Sequence, residues 1–350
     1  MTGNEHPEPV PRRGRRILSL SVLFLFLLAG AGYWYIERES NIPAAGPGKK
    51  SILFKVSPGM GLRKISLALG DSGIIKSPTI FQLQARLQRG AGWIQTGTYE
   101  LSPSMPPRRI YRDLIKGRVA RRRFTIPEGF NLKGIAAAME KAGFGDRRKI
   151  LRLTREPAFL KKLNIQAPTL EGYPFPDTYR FPIDTPPRRI LTHMVGTLRR
   201  KFGPSLRRMA RERNLTFHET LTLASVIEKE TAVESERSII ASVFINRLKI
   251  GMRLQSDPTV IYSLPDFDGN IRKKDLTYDS PYNTYRYTGL PPGPIASPGL
   301  ASIHAALNPA PVKYLYFVAN RKGGHKFSRT YREHRRAVER YQIRKRKVDR

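Results

Sequence analysis

The chain has 350 residues, with 63 Lys and Arg against 28 Asp and Glu, a formal charge of +35 and no cysteine. The length allows two or three domains with packed cores, while the missing cysteines exclude a disulfide framework and thiol chemistry. A charge this positive points to nucleic acid, an anionic membrane surface or another acidic polymer.

The first segment chooses among these. Residues 1–16 form a basic tail ending in Arg12, Arg13, Arg15 and Arg16. An apolar run then covers 17–37, close to the roughly 20 residues that cross a bilayer. Basic residues before the run keep the N-terminus cytoplasmic, and Tyr33, Trp34 and Tyr35 suit the far interface. A cleavable signal peptide, with Ala29-Gly30-Ala31 as its site, is the competing reading. The apolar run continues past that site, which favours a single-pass anchor. In either case the remainder is exported, and nucleic acid drops out as a partner.

Residues 38–50, rich in Pro and Gly, read as a flexible linker. An internal repeat follows: FKVSPGMGLRKI from Phe54 lines up with FTIPEGFNLKGI from Phe124. Each copy reads as strand, Gly turn and amphipathic helix, with a weaker echo over 102–114. The basic run 108–123 reads as a solvated face, with attraction to an acidic polymer or anionic lipid that salt would screen over about 8 Å. A Lys/Arg-rich helical region at 145–160 leads into LEGYPFPDTYRFP, residues 170–182, whose prolines preclude a regular helix. In that loop Tyr173 and Tyr179 are candidates to stack on sugar rings, and Glu171 and Asp177 to accept hydroxyl hydrogen bonds. An aromatic loop that simply seals a core is the alternative. Residues 190–213 read as one long basic helix.

The best-defined helix begins at the capping box Thr216–Glu219. Leu223, Val226, Ile227 and Glu230 then fall at helical steps on one stripe. Glu230 is therefore placed among aliphatic neighbours, where desolvation raises a carboxyl pKa. Glu228 lies about 200° away and is expected to face solvent. Ser235 reads as the cap of the next helix, Gly251 as its stop. Gln255, Ser256 and Asp257 crowd a turn before Pro258, and 259–264 reads as a β-branched strand. Two Pro/Gly-rich loops, 279–287 and 290–299, follow; Asn283 and Tyr285 are candidate contacts for acetamido or hydroxyl groups. A hairpin is expected around NRKGG, with His325 structural, and then a basic helix and tail.

EKET, INRLKIGMRLQSDPTVIY, LEGYPFPDTY, SPYNTY, GLPPGPIASPG and YLYFVANRKGGHKFS, in this order apart from the third, which lies upstream, resemble the endolytic murein transglycosylases of the MltG (YceG-like) family over nearly the whole chain. The resemblance implies an α+β protein: a single transmembrane helix, small LysM-like strand–turn–helix units at 51–122 and 123–164, and a mixed α+β catalytic domain at 165–345 before a short tail, 346–350. It implies glycan strands of peptidoglycan as substrate, inner-membrane lipid around the anchor, and cell-wall synthases as candidate partners. The family's catalytic acid falls on Glu230, the residue singled out by its helical face.

A lytic transglycosylase needs one acid/base group and no cofactor, whereas ordinary glycosidases flank the bond with two carboxylates. Glu230 is the strong candidate. Gln255, Asp257, Asn283 and Tyr285 are candidate substrate contacts beside Glu171, Tyr173, Asp177 and Tyr179. No spacing suited to a metal occurs among the scattered His residues. A hydrolysing muramidase, with Asp257 activating water, and a non-catalytic wall-binding scaffold remain as alternatives.

Overall fold

A computed structural model describes residues 12–88 and 94–343, with side chains from Ser19 onward. Of the expected tails, residues 1–11 of the 1–16 segment and all of 346–350 lie outside the described residues, while 12–16 already belong to a helix. The chain forms two compact units, one running to Arg121 and including Pro182–Asp184, the other comprising Arg122–Phe181 and the chain from Thr185 onward.

In the first unit, α1 (Arg12–Ser40) carries an apolar stretch over Ser19–Ser40 long enough to span a bilayer. Its Leu20, Phe24, Phe26 and Trp34 side chains are exposed, the opposite of a core helix. The 41–50 segment is not free as a flexible linker would be. Ala45 N–H donates to Pro103 O at 2.9 Å, and the Ser104 and Ser102 hydroxyls donate to Gly46 O and Lys49 O at 2.6 and 3.0 Å. Next come β1 (Ile52–Val56), α2 (Leu62–Asp71), α3 (Pro78–Leu87), β2 (Gly97–Leu101) and α4 (Pro107–Ile115). Strands β1 and β2 pair antiparallel with Phe54 opposite Tyr99. Phe54, Ile65, Leu69, Phe81, Tyr99 and Leu114 close a small core.

The second unit begins with β3 (Arg121–Thr125), whose first residue still belongs to unit one, and α5 (Leu132–Lys141). The repeat is therefore real at the level of local structure: both copies are strand, Gly turn and helix, with Gly59 and Gly129 at φ 79 and 75, a region open to glycine without steric cost. Helices α6 (Arg147–Leu153) and α7 (Pro157–Lys162) precede β4 (Thr178–Pro182), which pairs with β3. The basic helix read across 190–213 is instead two helices, α8 (Pro187–Lys201) and α9 (Pro204–Glu212). Pro204 lacks the N–H a continuous helix needs, so the chain turns at Phe202-Gly203 and restarts with proline in the first turn.

Helix α10 (Phe217–Glu230) has the expected capping box, with Glu219 N–H donating to Thr216 Oγ1 at 3.1 Å and Thr216 N–H to Glu219 Oε2 at 2.8 Å. Its burial exceeds a single stripe: Thr220 to Ile227 are buried on every face, as for a helix inside a core. Thr222 and Ser225 satisfy their hydroxyls on His218 O and Thr222 O, both at 2.8 Å. Each of Leu221, Leu223, Val226 and Ile227 is fully buried, a gain of roughly 1.5–3 kcal/mol per side chain. Around it pack α9, α11 (Arg237–Lys249), α12 (Asp257–Ser263) and α13 (Leu300–Leu307).

Two expectations fail here. Ser235 lies within a single turn of 3₁₀ helix and caps nothing; α11 starts at Arg237 with no side-chain cap. Residues 259–263 are helical, not a strand, and Leu264 caps the helix. Pro258 occupies the first turn of α12, and Thr259 and Ser263 hydroxyls fold back on Ser256 O and Val260 O at 2.7 Å each, overriding their β-branched preference. Gly251 does stand just past α11 with φ 67. Strands β5 (Tyr316–Ala319) and β6 (His325–Ser328) form the expected hairpin, and α14 (Tyr331–Val338) follows.

Candidate active site

Glu230 is the last residue of α10. Thr231 leaves helical geometry at ψ 104, and its N–H and hydroxyl both donate to Ile227 O, at 3.0 and 2.7 Å. The final turn is thereby pinned, with the carboxyl at the negative end of the helix dipole. The residue is half-buried, desolvated yet open on one side. From the turn before α12, the buried Ser256 hydroxyl donates to Glu230 Oε1 at 2.5 Å. Ser256 itself is fixed by its N–H, which donates to Thr284 Oγ1 at 3.0 Å. Desolvation lifts the Glu230 pKa above the ordinary value; the Ser256 hydroxyl opposes it, the charge of Asp257 adds to it, and His325 and Arg247 pull it back.

Asp257 stands beside this carboxyl and accepts the Tyr285 hydroxyl at 2.6 Å. Burial, then that hydrogen bond, push the Tyr285 pKa up, so the phenol stays a donor. Gln255 is exposed at φ 49, a left-handed conformation uncommon for a residue with a Cβ. Its N–H donates to Thr284 O at 3.1 Å, which aims the turn. Thus Gln255, Asp257 and Tyr285 gather at Glu230. Asn283 is adjacent but buried: its amide donates to Leu276 O and Tyr278 O at 3.0 and 2.7 Å and accepts from Tyr285 N–H at 2.9 Å. It shapes the loop and has no group left for a ligand.

The 170–182 loop divides. Glu171 is buried, accepts Leu132 N–H at 3.0 Å and Tyr262 O–H at 3.3 Å, and lines a separate groove. Desolvation raises its pKa to about 8, against the backbone and Tyr262 hydrogen bonds. Tyr173 is buried, with its hydroxyl 2.8 Å from His218 Nδ1. His218 Nε2 lies 2.8 Å from Pro292 O and must carry the proton there, so the phenol donates to Nδ1. Tyr179 is also core: it packs beside Phe124, Phe181 and His193, and its hydroxyl donates to Phe175 O at 2.7 Å. Asp177 is exposed and accepts its neighbour Thr178 N–H at 2.7 Å. Tyr173 and Tyr179 therefore seal the core, the alternative weighed for an aromatic loop.

Glu228 corrects another expectation. It is half-buried, and Oε2 accepts Gly299 N–H at 3.0 Å at the start of α13. The helical angle does turn it away from Glu230, but the 290–299 loop covers that face.

The comparisons follow this geometry. A model of the YceG-like family matches residues 54–340. The chain belongs to the YceG-like family. The endolytic murein transglycosylase of Bacillus subtilis strain 168 is 34% identical over 332 residues, covering 90% of this chain and 91% of that one. The protein of the same name from Streptococcus pneumoniae strain D39 is 30% identical over 333 residues, 85% of this chain and 60% of its own length. A crystal structure of a YceG-like protein from Listeria monocytogenes aligns with a TM-score of 0.58 at 36% identity, covering 83% of this chain and 99% of that one.

Three residues of this YceG-like site escaped the sequence. Arg247, buried in α11, donates to Leu315 O at 2.7 Å and to Leu254 O, and lies over the Tyr316 ring at 5.5 Å. It bolts α11 to the hairpin and to the turn before Gln255. Thr284 binds the N–H groups of Gln255 and Ser256 through its carbonyl and hydroxyl. Glu236 accepts His325 N–H and Nδ1–H at 2.8 and 2.6 Å, holding that ring where its charge reaches Glu230. Spacing carries no sign of these, because each acts on backbone distant in sequence. Among the described residues no cluster of His, Asp and Glu suited to a metal occurs.

Proposed function

We propose that the protein is a membrane-anchored endolytic murein transglycosylase in which Glu230 is the acid and base. The observation that carries this is a desolvated carboxyl at the end of a buried helix, oriented by one hydroxyl donor, with its pKa raised by burial and then by the charge of Asp257. Relatives named endolytic murein transglycosylase span nearly the whole chain. Protonated Glu230 gives its proton to the oxygen joining N-acetylmuramic acid C1 to N-acetylglucosamine O4, and the C1–O4 bond breaks. The carboxylate then takes the proton of the muramic C6 hydroxyl, O6 bonds to C1, and a 1,6-anhydro end forms. Glu230 is protonated again and no water is consumed. General acid catalysis of this kind contributes about 10²–10⁴ in rate.

Asp257 beside Glu230 also favours a second reading, a hydrolysing muramidase in which Asp257 activates water. Mass spectrometry of the ends produced from isolated murein separates the two: anhydro termini fit the first, reducing termini the second. Loss of every new end in Glu230→Gln, with the fold retained, is expected under either; unchanged cleavage by that variant removes Glu230 from the chemistry.

The apolar α1 is read as an uncleaved anchor with the N-terminus cytoplasmic and both units outside. Retention in membranes after an alkaline wash, at full mass, is expected. A shorter, released protein overturns it. An anchored site confines cleavage to wall close to the membrane, where strands are being made, which suits trimming or ending of nascent glycan and brings synthases within reach.

A further inference from the structure

A groove of the second unit has no lining from Glu230. It has a volume of about 850 Å³ and runs along α12, walled by Pro258, Ile261 and Tyr262 and lined also by Glu171. At one end it includes Lys229 and Pro258, the immediate neighbours of Glu230 and Asp257, so it begins where the reaction site stops. Its volume falls in the ordinary range for ligand sites, ~300–1,000 Å³.

Its charge is one-sided. Lys133, Arg155 and Lys229 line it, all exposed and none in an ion pair among the described residues. Glu171 is the single carboxyl that lines it, and burial keeps that group protonated at neutral pH. A cleft with three unpaired cations and no anion attracts a negatively charged ligand. The sugars of a murein strand are themselves uncharged, since the lactyl acid of each muramic residue is taken up in an amide. The negative charge of the polymer resides on the peptide joined through that amide. Unpaired cations next to the cleavage site therefore discriminate peptide-bearing strands from strands whose lactyl acid is capped as a simple amide, which sugar-stacking surfaces do not.

We propose that this groove holds the acidic peptide side chain of the strand being cleaved, with Lys133 and Arg155 on its carboxylates. The inference rests on the transglycosylase reading above. The test compares the full chain on two substrates, murein strands with peptides and the same strands after an amidase has removed them and the lactyl carboxyl so freed has been capped as its methylamide. In wild type KM is lower on peptide-bearing strands. Lys133→Ala with Arg155→Ala raises KM on those strands roughly five- to tenfold at low salt and leaves capped strands unaffected, the size expected for two exposed charge contacts. Added salt narrows the wild-type preference and leaves the double variant flat. Equal losses on both substrates, or no change on either, overturn the proposal while leaving the transglycosylase reading in place. Failure of wild type to cut either strand overturns that reading instead. Both side chains are exposed and form no ion pair, so the double variant should fold; an unfolding midpoint matching wild type verifies this.

Discussion

Glu230 and Glu171 are both desolvated carboxyls with raised pKa values, one bonded to Ser256 ahead of α12 and the other to Tyr262 within it, yet their surroundings differ. Glu171 is buried between the first N–H of α5 and the Tyr262 hydroxyl, and these fixed donors leave it as a brace across the fold. Glu230 receives one hydroxyl, has an acidic neighbour and keeps an open side. Burial alone raises a pKa; the free approach to the proton makes a catalyst. A perturbed carboxyl is thus a candidate whose neighbours decide the outcome.

The contrast is broken most sharply by replacing each acid with its amide. Glu230→Gln is expected to lower the rate of glycan cleavage about 10²–10⁴-fold with its thermal midpoint near wild type, whereas Glu171→Gln should cleave at a rate close to wild type. A rate loss in the second variant as large as in the first would erase the distinction. Next in size is the pH profile. If, as proposed, the acid form of Glu230 begins the reaction, activity falls as pH rises through its raised pKa. Asp257→Asn removes a charge that raises that pKa and moves the falling limb to lower pH. Ser256→Ala removes the bond that stabilises the carboxylate and moves it to higher pH. Shifts in the same direction would separate these neighbours from Glu230.

Glu171 predicts a stability effect instead. Its pKa near 8 in the fold, against 4.5 for the ordinary group, means the folded state holds a proton that the unfolded chain has lost. Stability is fully present below about pH 4.5 and declines up to about pH 8, by at most about 1.4 kcal/mol per pH unit. Denaturation across that window should slope in wild type and flatten in Glu171→Gln. The smallest effect belongs to Glu228→Gln, which weakens the bond to Gly299 N–H. A loss of about 1 kcal/mol, as for a helix cap, with cleavage intact, is expected from urea titration and activity together.

What could be read from the chain follows the range of the interactions. The capping box of α10, the stop at Gly251, the hairpin and both strand–Gly–helix repeats depend on residues a few positions apart, and all are present. The face that turns Glu230 and Glu228 apart also follows from helical period alone. The second repeat, however, merges into the core of the larger unit, with Phe124, Ile126 and Ile135 beside Ile227 and Ile303, whereas the first closes its own core. Identical local patterns cannot report which distant strand pairs with each. The same limit explains the reading of 259–264 as a strand: Thr259 pairs its hydroxyl with Thr284, far along the chain, where the sequence offers no local sign of it. Asn283 and Tyr179 were misjudged because a polar or aromatic type does not tell whether its partner is a ligand or the backbone nearby.

The last turn of α10 sends three successive side chains to three destinations: Glu228 to the loop ahead of α13, Lys229 to the peptide groove, Glu230 to the reaction. Adjacent helical positions differ by about 100°, so on the proposed reading slipping the register by one residue would offer the scissile oxygen the Lys229 ammonium or the Thr231 hydroxyl in place of the Glu230 carboxyl. The enzyme's chemistry is therefore indexed by counting from Thr216. A single alanine inserted within α10 should silence it even where the core accommodates the extra residue, and lengthening the chain ahead of Thr216 should not.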